Sequence, residues 1–275
     1  MKQNRSWKTG FIGGGNMASA LLRGLVGAGR DPDDIVVSEP DGRRRDSLRR
    51  DYGVCVSSDN AEVAALSRTV VLAVKPQVMA EVLSEISDRV GKGTVVVSIA
   101  AGVRLASLES ALVQGTPVVR VMPNTPCLVG EGMSVYCGGR WVRKEDLDLV
   151  GAMLATVGQA LELDEEDLLD PVTGLSGSGP AYVYLLAEAL ARGGQAAGLD
   201  REVAVMLAGQ TILGAGRMLV ESGDGPQALR EAVSSPGGTT VAGLGELERR
   251  GFATAVAEAV RVATARSREL GGGEG

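Results

Sequence analysis

One short segment, Gly13-Gly14-Gly15-Asn16-Met17-Ala18, restricts the folds open to this 275-residue chain more than any other. It fits the pattern G-x-G-x-x-A between an apolar run ending Phe11-Ile12 and an amphipathic stretch from Asn16 to Ala28. In that stretch Ala18, Leu21, Leu22, Leu25 and Val26 share one face, as a helix requires. Gly13 makes the tight turn, Gly15 lets backbone approach a pyrophosphate, and Ala18 lets helix and strand pack closely. The N–H groups at the helix start then face the phosphates. The plain alternative is a tight structural turn with no ligand, but its place at the head of a βαβ series favours a dinucleotide.

The series continues with β-branched runs at Ile35-Val36-Val37, Val70 to Val74, Val95 to Ser98 and Val118 to Val121, with helical stretches near 77–90 and 103–113. This alternation predicts an α/β fold with a Rossmann-like, doubly wound parallel sheet. Met133 to Cys137 and Ala160 to Leu163 are further strand candidates, with a helix near 144–156 between them. The character changes at Glu165-Glu166-Asp167. Beyond it the chain is Ala-, Leu- and Gly-rich with helical period, in helices from Pro180 to Gln195, Arg201 to Glu221, Gln227 to Val233, Thr239 to Arg250 and Phe252 to Leu270. The expected organisation is a dinucleotide-binding domain over 1–166 and an all-α domain over 167–275, ending in a Gly-rich tail over 271–275.

Composition removes several functions. With no histidine, Ser-His-Asp and Cys-His catalysis and histidine-ligated metals are excluded, so any proton must come from another group. The net charge is −6 and no basic stripe dominates, which argues against a nucleic-acid partner. Arg43, Arg44, Arg45, Arg49 and Arg50 are interleaved with Asp and read as a solvated helix face. Cys55, Cys127 and Cys137 are odd in number and widely spaced, forming neither a disulfide framework nor a metal motif, which fits a reducing cytoplasm and no bound metal. No apolar run reaches the roughly 18 residues that suggest a membrane span. Met1 to Arg5 leads into the first strand without a signal-peptide core, so no membrane partner is expected.

The ends of the predicted strands carry the chemistry. Val37-Ser38-Glu39-Pro40 ends the second strand, where an acidic side chain usually binds the adenosine ribose 2′-hydroxyl and favours NAD. Ser38 is a second candidate for the ribose, and Arg43 to Arg45 could pair with a 2′-phosphate, so the balance leans only slightly to NADPH and leaves NADH open. Lys75, before Pro76, either contacts the cofactor ribose or shapes the turn. Ala100-Ala101-Gly102 and Met122 to Pro126 are small or turn-forming and suit a flat ring lying over them. Asn124 is either a polar contact or a turn residue. Thr173 to Pro180 reads as a helix start capped by Ser178 or Gly179, or as a second phosphate cradle. Ser234-Ser235-Pro236-Gly237-Gly238-Thr239-Thr240 groups hydroxyls and flexible backbone, with Pro236 suiting the first turn of a helix. It reads as an anion-binding helix start or as a bland loop.

Taken together and in order, Phe11 to Met17, Ala73-Val74-Lys75-Pro76, Asn124-Thr125-Pro126, 173–182 and 234–240 resemble the pyrroline-5-carboxylate reductase family over roughly residues 9 to 270. The resemblance implies hydride transfer from a nicotinamide to the ring C=N carbon of 1-pyrroline-5-carboxylate, giving L-proline, the last step of proline synthesis. It implies that Ile12, Gly13, Gly14, Gly15, Asn16, Met17, Ser38, Asn60, Ala73, Val74, Lys75, Pro76, Ala100, Ala101 and Gly102 hold the cofactor. Glu166, Ser235, Thr239 and Thr240 would then lie at the substrate. It further implies an all-α C-terminal domain interlocked with that of a second subunit, sites completed across that homodimer, and higher rings of dimers. Ala232 stands where many relatives carry Asn, so one contact is expected to be missing.

On this reading Thr240 is the expected catalytic residue, donating to the ring nitrogen, and the backbone N–H groups of Gly238 to Thr240 hold the substrate carboxylate. Another two-domain reductase using a catalytic lysine is disfavoured, because no lysine lies beyond residue 166. The same lack disfavours a pyridoxal-phosphate module.

Overall fold

A computed structural model describes residues 7–272. The stretch Met1 to Arg5 and the end of the Gly-rich tail lie outside the described residues. The alternating elements are β1 (Trp7–Ile12), α1 (Asn16–Gly27), β2 (Ile35–Ser38), α2 (Gly42–Tyr52), β3 (Cys55–Ser57), α3 (Asn60–Leu66), β4 (Ser67–Leu72) and α4 (Met79–Ile86). They continue with β5 (Val95–Ser98), α5 (Leu105–Ala111), β6 (Val118–Met122), β7 (Gly132–Gly138), α6 (Lys144–Leu154) and β8 (Gly158–Glu162). The eight strands form one sheet in the order β3-β2-β1-β4-β5-β6-β7-β8.

Strands rich in Val and Ile can be buried on both faces, the condition for a parallel sheet. The two faces alternate along each strand. Phe11, Val37, Val71, Val97 and Val119 pack with Leu21 and Leu22 of α1 and Val150 and Leu154 of α6. Ile12, Val36, Val70, Leu72 and Val96 pack with Val63 of α3, Leu83 and Ile86 of α4 and Leu108 of α5. The strand order reverses at β1, which pairs with both β2 and β4, so the crevice beyond Ile12 is the place for a ligand.

Two details differ from the expected all-parallel sheet. β7 runs antiparallel to β6, with Val121 opposite Tyr136. The link between them is a 3₁₀ turn, Thr125–Val129, closed by Gly130 at φ 80°, which reverses the chain without a crossover helix. The short edge strand β3 and the helix α3 behind it escaped the sequence reading, because Cys55-Val56-Ser57 is too short to show a period.

The described chain forms two compact units. The first runs through Gly177 and takes up the chain again from Ala263, and the second spans Ser178–Val262. The change in composition at 166 therefore falls inside the first unit. A 3₁₀ turn (Glu166–Leu168), α7 (Leu169–Val172) and a π-helical turn (Thr173–Gly177) follow it without a loop. The expected helix-start loop over 173–178 is thus itself helical, and Ser178 caps the next helix with no side-chain bond.

The second unit is built from α8 (Gly179–Ala196), α9 (Arg201–Glu221), α10 (Pro226–Ala232), α11 (Thr239–Arg249) and the start of α12 (Phe252–Gly271). α8 and α9 meet through small residues, Ala191, Ala204 and Ala208. A Cβ on Gly194 would sit 3.2 Å from the Cβ of Ala204, so the helix backbones approach closely. Among the described residues α9 is long and apolar enough to cross a membrane by length and composition alone, with a mean hydropathy of 1.5. Its uncharged run covers 203–216 and ends at Arg217, so it remains shorter than roughly 18 residues.

Gly158 opens β8 at φ 141°, and a Cβ there would collide with the carbonyl oxygen of Gly132, its partner in the β7–β8 ladder. Gly158→Ala is expected to cost about 3 kcal/mol, read as a lower urea midpoint with an unchanged slope. An unchanged midpoint would mean that this pairing yields without cost.

Candidate active site

The cofactor cleft starts where β1 stops. Gly13 turns the chain at φ 94°, and its N–H donates to the Ser38 carbonyl at 2.8 Å. A Cβ on Gly13 would lie 2.7 Å from the Ala73 carbonyl oxygen, so the neighbouring strand forbids a side chain there. Gly15 differs, because a Cβ on it would meet nothing within 4 Å. The space in front of Gly15 is open, as a bound phosphate would require. Gly15 is also the N-cap of α1, with no side-chain cap bond and no acidic residue in the first turn. The uncapped N–H groups of Asn16 and Met17 and the partial positive charge of a 12-residue helix face that space. The residues present fit a dinucleotide pyrophosphate.

Ser38, buried at the end of β2, donates to Asn60 Oδ1 at 2.7 Å, and Asn60 Nδ2 donates to Glu85 Oε2 at 2.6 Å. The two expected cofactor residues Ser38 and Asn60 are thus joined to each other. Glu39 accepts from the Gly14 N–H at 2.9 Å and from the Asp41 N–H at 3.1 Å. Arg44 Nε donates to the Gly14 carbonyl, and Arg45 Nη1 donates to the carbonyls of Glu39 and Pro40 at 2.6 and 2.7 Å.

The ends of β4 and β5 border the same cleft. The Ala73 N–H donates to the Ile12 carbonyl at 2.8 Å, and Lys75 is the exposed cap of the 3₁₀ turn Pro76–Val78. Ala100 is buried and Ala101 exposed. Gly102, at φ 75°, lies under Leu270 of α12, 3.4 Å from where its own Cβ would be.

Asn124 acts as a clamp. Its Oδ1 accepts from the Met133 N–H at 2.8 Å, and its Nδ2 donates to the carbonyl and Oγ of Ser176 at 3.3 Å. It ties the end of β6 and the start of β7 to the π turn. Glu166 is engaged through one oxygen. Oε1 accepts from Arg120 Nη1 at 2.6 Å and from the Leu105 N–H, at the start of α5, at 2.8 Å.

Arg120, the partner that holds Glu166, is a residue that the sequence reading passed over. It lies buried in β6 within the run Val118–Met122, and a lone Arg among β-branched residues was the available signal for a buried partner. Cys137 lies opposite Arg120 in the ladder. Burial pushes its thiol up to about 11, Glu166 adds to the rise and Arg120 opposes it.

In the second unit, Pro236-Gly237 forms a tight turn with Gly237 at φ 71°, closed by the Gly238 N–H donating to the Ser235 carbonyl at 2.9 Å. This order fits a type II turn. Pro236 therefore precedes the helix and does not occupy its first turn. Gly238 caps α11, and its own N–H is already used, so the open backbone donors are those of Thr239 and Thr240. Ser235, Thr239 and Thr240 are exposed, and their hydroxyls make no side-chain bond among the described residues. Ser234 differs, donating to the Arg230 carbonyl at 2.6 Å.

Residues 166–270 match the family model described as pyrroline-5-carboxylate reductase dimerisation. Residues 8–102 match that described as NADP oxidoreductase, coenzyme F420-dependent. A pyrroline-5-carboxylate reductase of Synechocystis sp. is 45% identical over 97% of this chain and 99% of its own length. That of Arabidopsis thaliana is 44% identical over 96% of each. Among solved structures, a pyrroline-5-carboxylate reductase from Coxiella burnetii is similar with a TM-score of 0.92 at 36% identity, covering 96% of this chain and 98% of that one. The Plasmodium falciparum enzyme with NADP bound is similar with a TM-score of 0.86 at 35% identity, covering 97% and 99%.

Removing one member of the buried ion pair strands the other. Arg120→Met is expected to lose about 3 kcal/mol in urea unfolding, and adding Glu166→Gln, which keeps an acceptor for Leu105, to recover part of it. At pH 8 a disulfide thiol reagent should leave Cys137 of the folded chain unmodified and react with it only after denaturant. Rapid reaction of the native protein at Cys137 would contradict its burial.

Proposed function

Because the chain belongs to the pyrroline-5-carboxylate reductase family, with a relative 45% identical over 97% of its length, we propose that it reduces the C=N bond of 1-pyrroline-5-carboxylate to L-proline, closing proline synthesis. NADPH, with NADH as an alternative, supplies the hydride when bound. The glycine cradle and the open start of α1 hold the pyrophosphate. Ala73 to Pro76 and Ala100 to Gly102, at the ends of neighbouring strands, line the nicotinamide end.

The reduction forms a C–H bond at the ring carbon, and the nitrogen of the former C=N bond gains a proton. The observation that carries the substrate assignment is the pair of free hydroxyls, Thr239 and Thr240, at an uncapped helix start behind a rigid Pro-Gly turn. The N–H groups of Thr239 and Thr240 receive the carboxylate, and the Ser235 hydroxyl is the adjoining donor. The Thr240 hydroxyl donates to the ring nitrogen and passes on its proton, replenished from water. An unactivated Thr is a weak acid, so orientation of the C=N bond is the larger part of its work. Glu166 acts through the half of its carboxylate that Arg120 and Leu105 leave open.

The chain works as a homo-oligomer. Met206, Leu213 and Val220, seven residues apart on α9, are exposed at 65%, 55% and 80%, an apolar stripe that a second copy covers. The dimer is the basic unit, and rings of dimers are its extension. The cytoplasm is its compartment, in keeping with three cysteines of which none forms a disulfide among the described residues.

Thr240→Ala should lower kcat about a hundredfold with NADPH and pyrroline-5-carboxylate while cofactor binding holds. A kcat within about twofold of wild type would remove Thr240 from the chemistry. Leu213→Glu should shift the mass measured by light scattering from dimer towards monomer. An unchanged mass would place the contact elsewhere.

A further inference from the structure

We propose that a cavity at the far edge of the sheet is a second ligand site, for a small organic anion with a carboxylate or phosphate head on an apolar body. Its volume is about 410 Å³, within the roughly 300–1,000 Å³ of small-molecule sites. The cofactor cleft lies beyond the end of β1 at Ile12, whereas this cavity opens at the starts of β1 and β4, at Thr9 and Thr69. One row of the sheet creates it. Ile35, Thr9, Thr69 and Val95 are neighbours across β2, β1, β4 and β5. Thr9 and Thr69 sit two residues before Phe11 and Val71, so they point to the same face, towards α1 and α6. Two short side chains in place of large apolar ones leave space there, walled by Leu25 of α1 and by Val150 and Met153 of α6. Thr69 is 4% exposed, and its hydroxyl makes no hydrogen bond among the described residues. Buried hydroxyls are seldom left alone, so this one takes its partner from inside the cavity.

The charges select an anion. Three exposed residues of the lining are cations, Lys8, Arg30 and Arg68. Lys8 is held by Asp34, the acid of the lining, at 2.6 Å. Arg30 and Arg68 make no ion pair and no side-chain hydrogen bond among the described residues. Of the acids close by in sequence, Asp31 accepts from the Asp33 N–H at 3.0 Å and Asp148 pairs with Lys144 at 3.0 Å, and neither lines the cavity. Two uncompensated guanidinium groups therefore border this space in a chain of net charge −6. Their forked donors match a carboxylate or phosphate, and the flexible thioether of Met153 adapts to an apolar body.

The test is isothermal titration calorimetry of the full-length protein, with and without saturating NADPH. Octanoate and phenyl phosphate carry the two heads, octanamide the body without charge, and inorganic phosphate the head without body. At least one of the first two should bind at one site per chain with a Kd of about 1 mM or below, and the tighter one tells carboxylate from phosphate. Arg30→Gln combined with Arg68→Gln should weaken it about tenfold or more, and Thr69→Val several-fold, with urea midpoints held. NADPH should leave the affinity unchanged. No saturable heat from either anion would overturn the proposal. So would binding unmoved by the paired arginine substitutions or by Thr69→Val, binding matched by octanamide or inorganic phosphate, or binding abolished by NADPH.

Discussion

The pairing of β1 with β4 sets the position of everything on the upper edge of the sheet. It aligns Phe11 with Val71 and Ile12 with Leu72, and the Ala73 N–H carries the ladder one bond further, to the Ile12 carbonyl. At that point the chain after β1 has no room for a side chain, because the Ala73 backbone lies against Gly13. The glycine turn is therefore a consequence of strand spacing as much as of phosphate binding. The same spacing brings the ends of β2, β4 and β5 to one crevice, where a helix start with unbonded N–H groups supplies the local positive charge.

A second set of buried polar contacts closes the other end of the first unit. Arg120 inside the sheet would be intolerable alone. Glu166, arriving just after β8, neutralises it and at the same time satisfies the start of α5. Nearby, Asp170 accepts from Ser267 Oγ at 2.7 Å, and Arg104 reaches Asp167 at 2.8 Å. Within the acidic stretch at 165–170, Glu166 and Asp170 thus work as internal partners while Glu165 and Asp167 stay exposed. The stretch looks like a linker in the sequence because charge runs are usually solvated, and only the depth of Arg120 and Asp170 shows otherwise.

The parts that were legible in the sequence are those with a strong period or an obligatory residue type. The valine runs at 95–98 and 118–121 and the helices at 201–221 and 239–249 follow from apolar spacing. Gly13 follows from the turn chemistry. What escaped depends on tertiary partners. The antiparallel turn of β7 rests on a 3₁₀ link, which has no period to read. Asn124, ambiguous as a turn residue, is a clamp on Ser176, and no local signal announces that partner. In the loop over 234–240 the residue types were readable, but the use of the Gly238 N–H inside its own turn was not, because it depends on the φ of Gly237.

The first unit is discontinuous in the chain. Its polypeptide runs through Gly177, leaves for the whole of the second unit, and returns at Ala263. The Ser267 hydroxyl that completes the Asp170 contact, and Leu270 over the Gly102 turn, are made only after the second unit. During synthesis the nucleotide-binding sheet can assemble early, domain by domain from the N-terminus. Its final polar lock must wait until the second unit has been synthesised. A chain stalled short of Ala263 would hold Asp170 beside Arg104 but without the Ser267 hydroxyl, and the Gly102 turn without Leu270 over it.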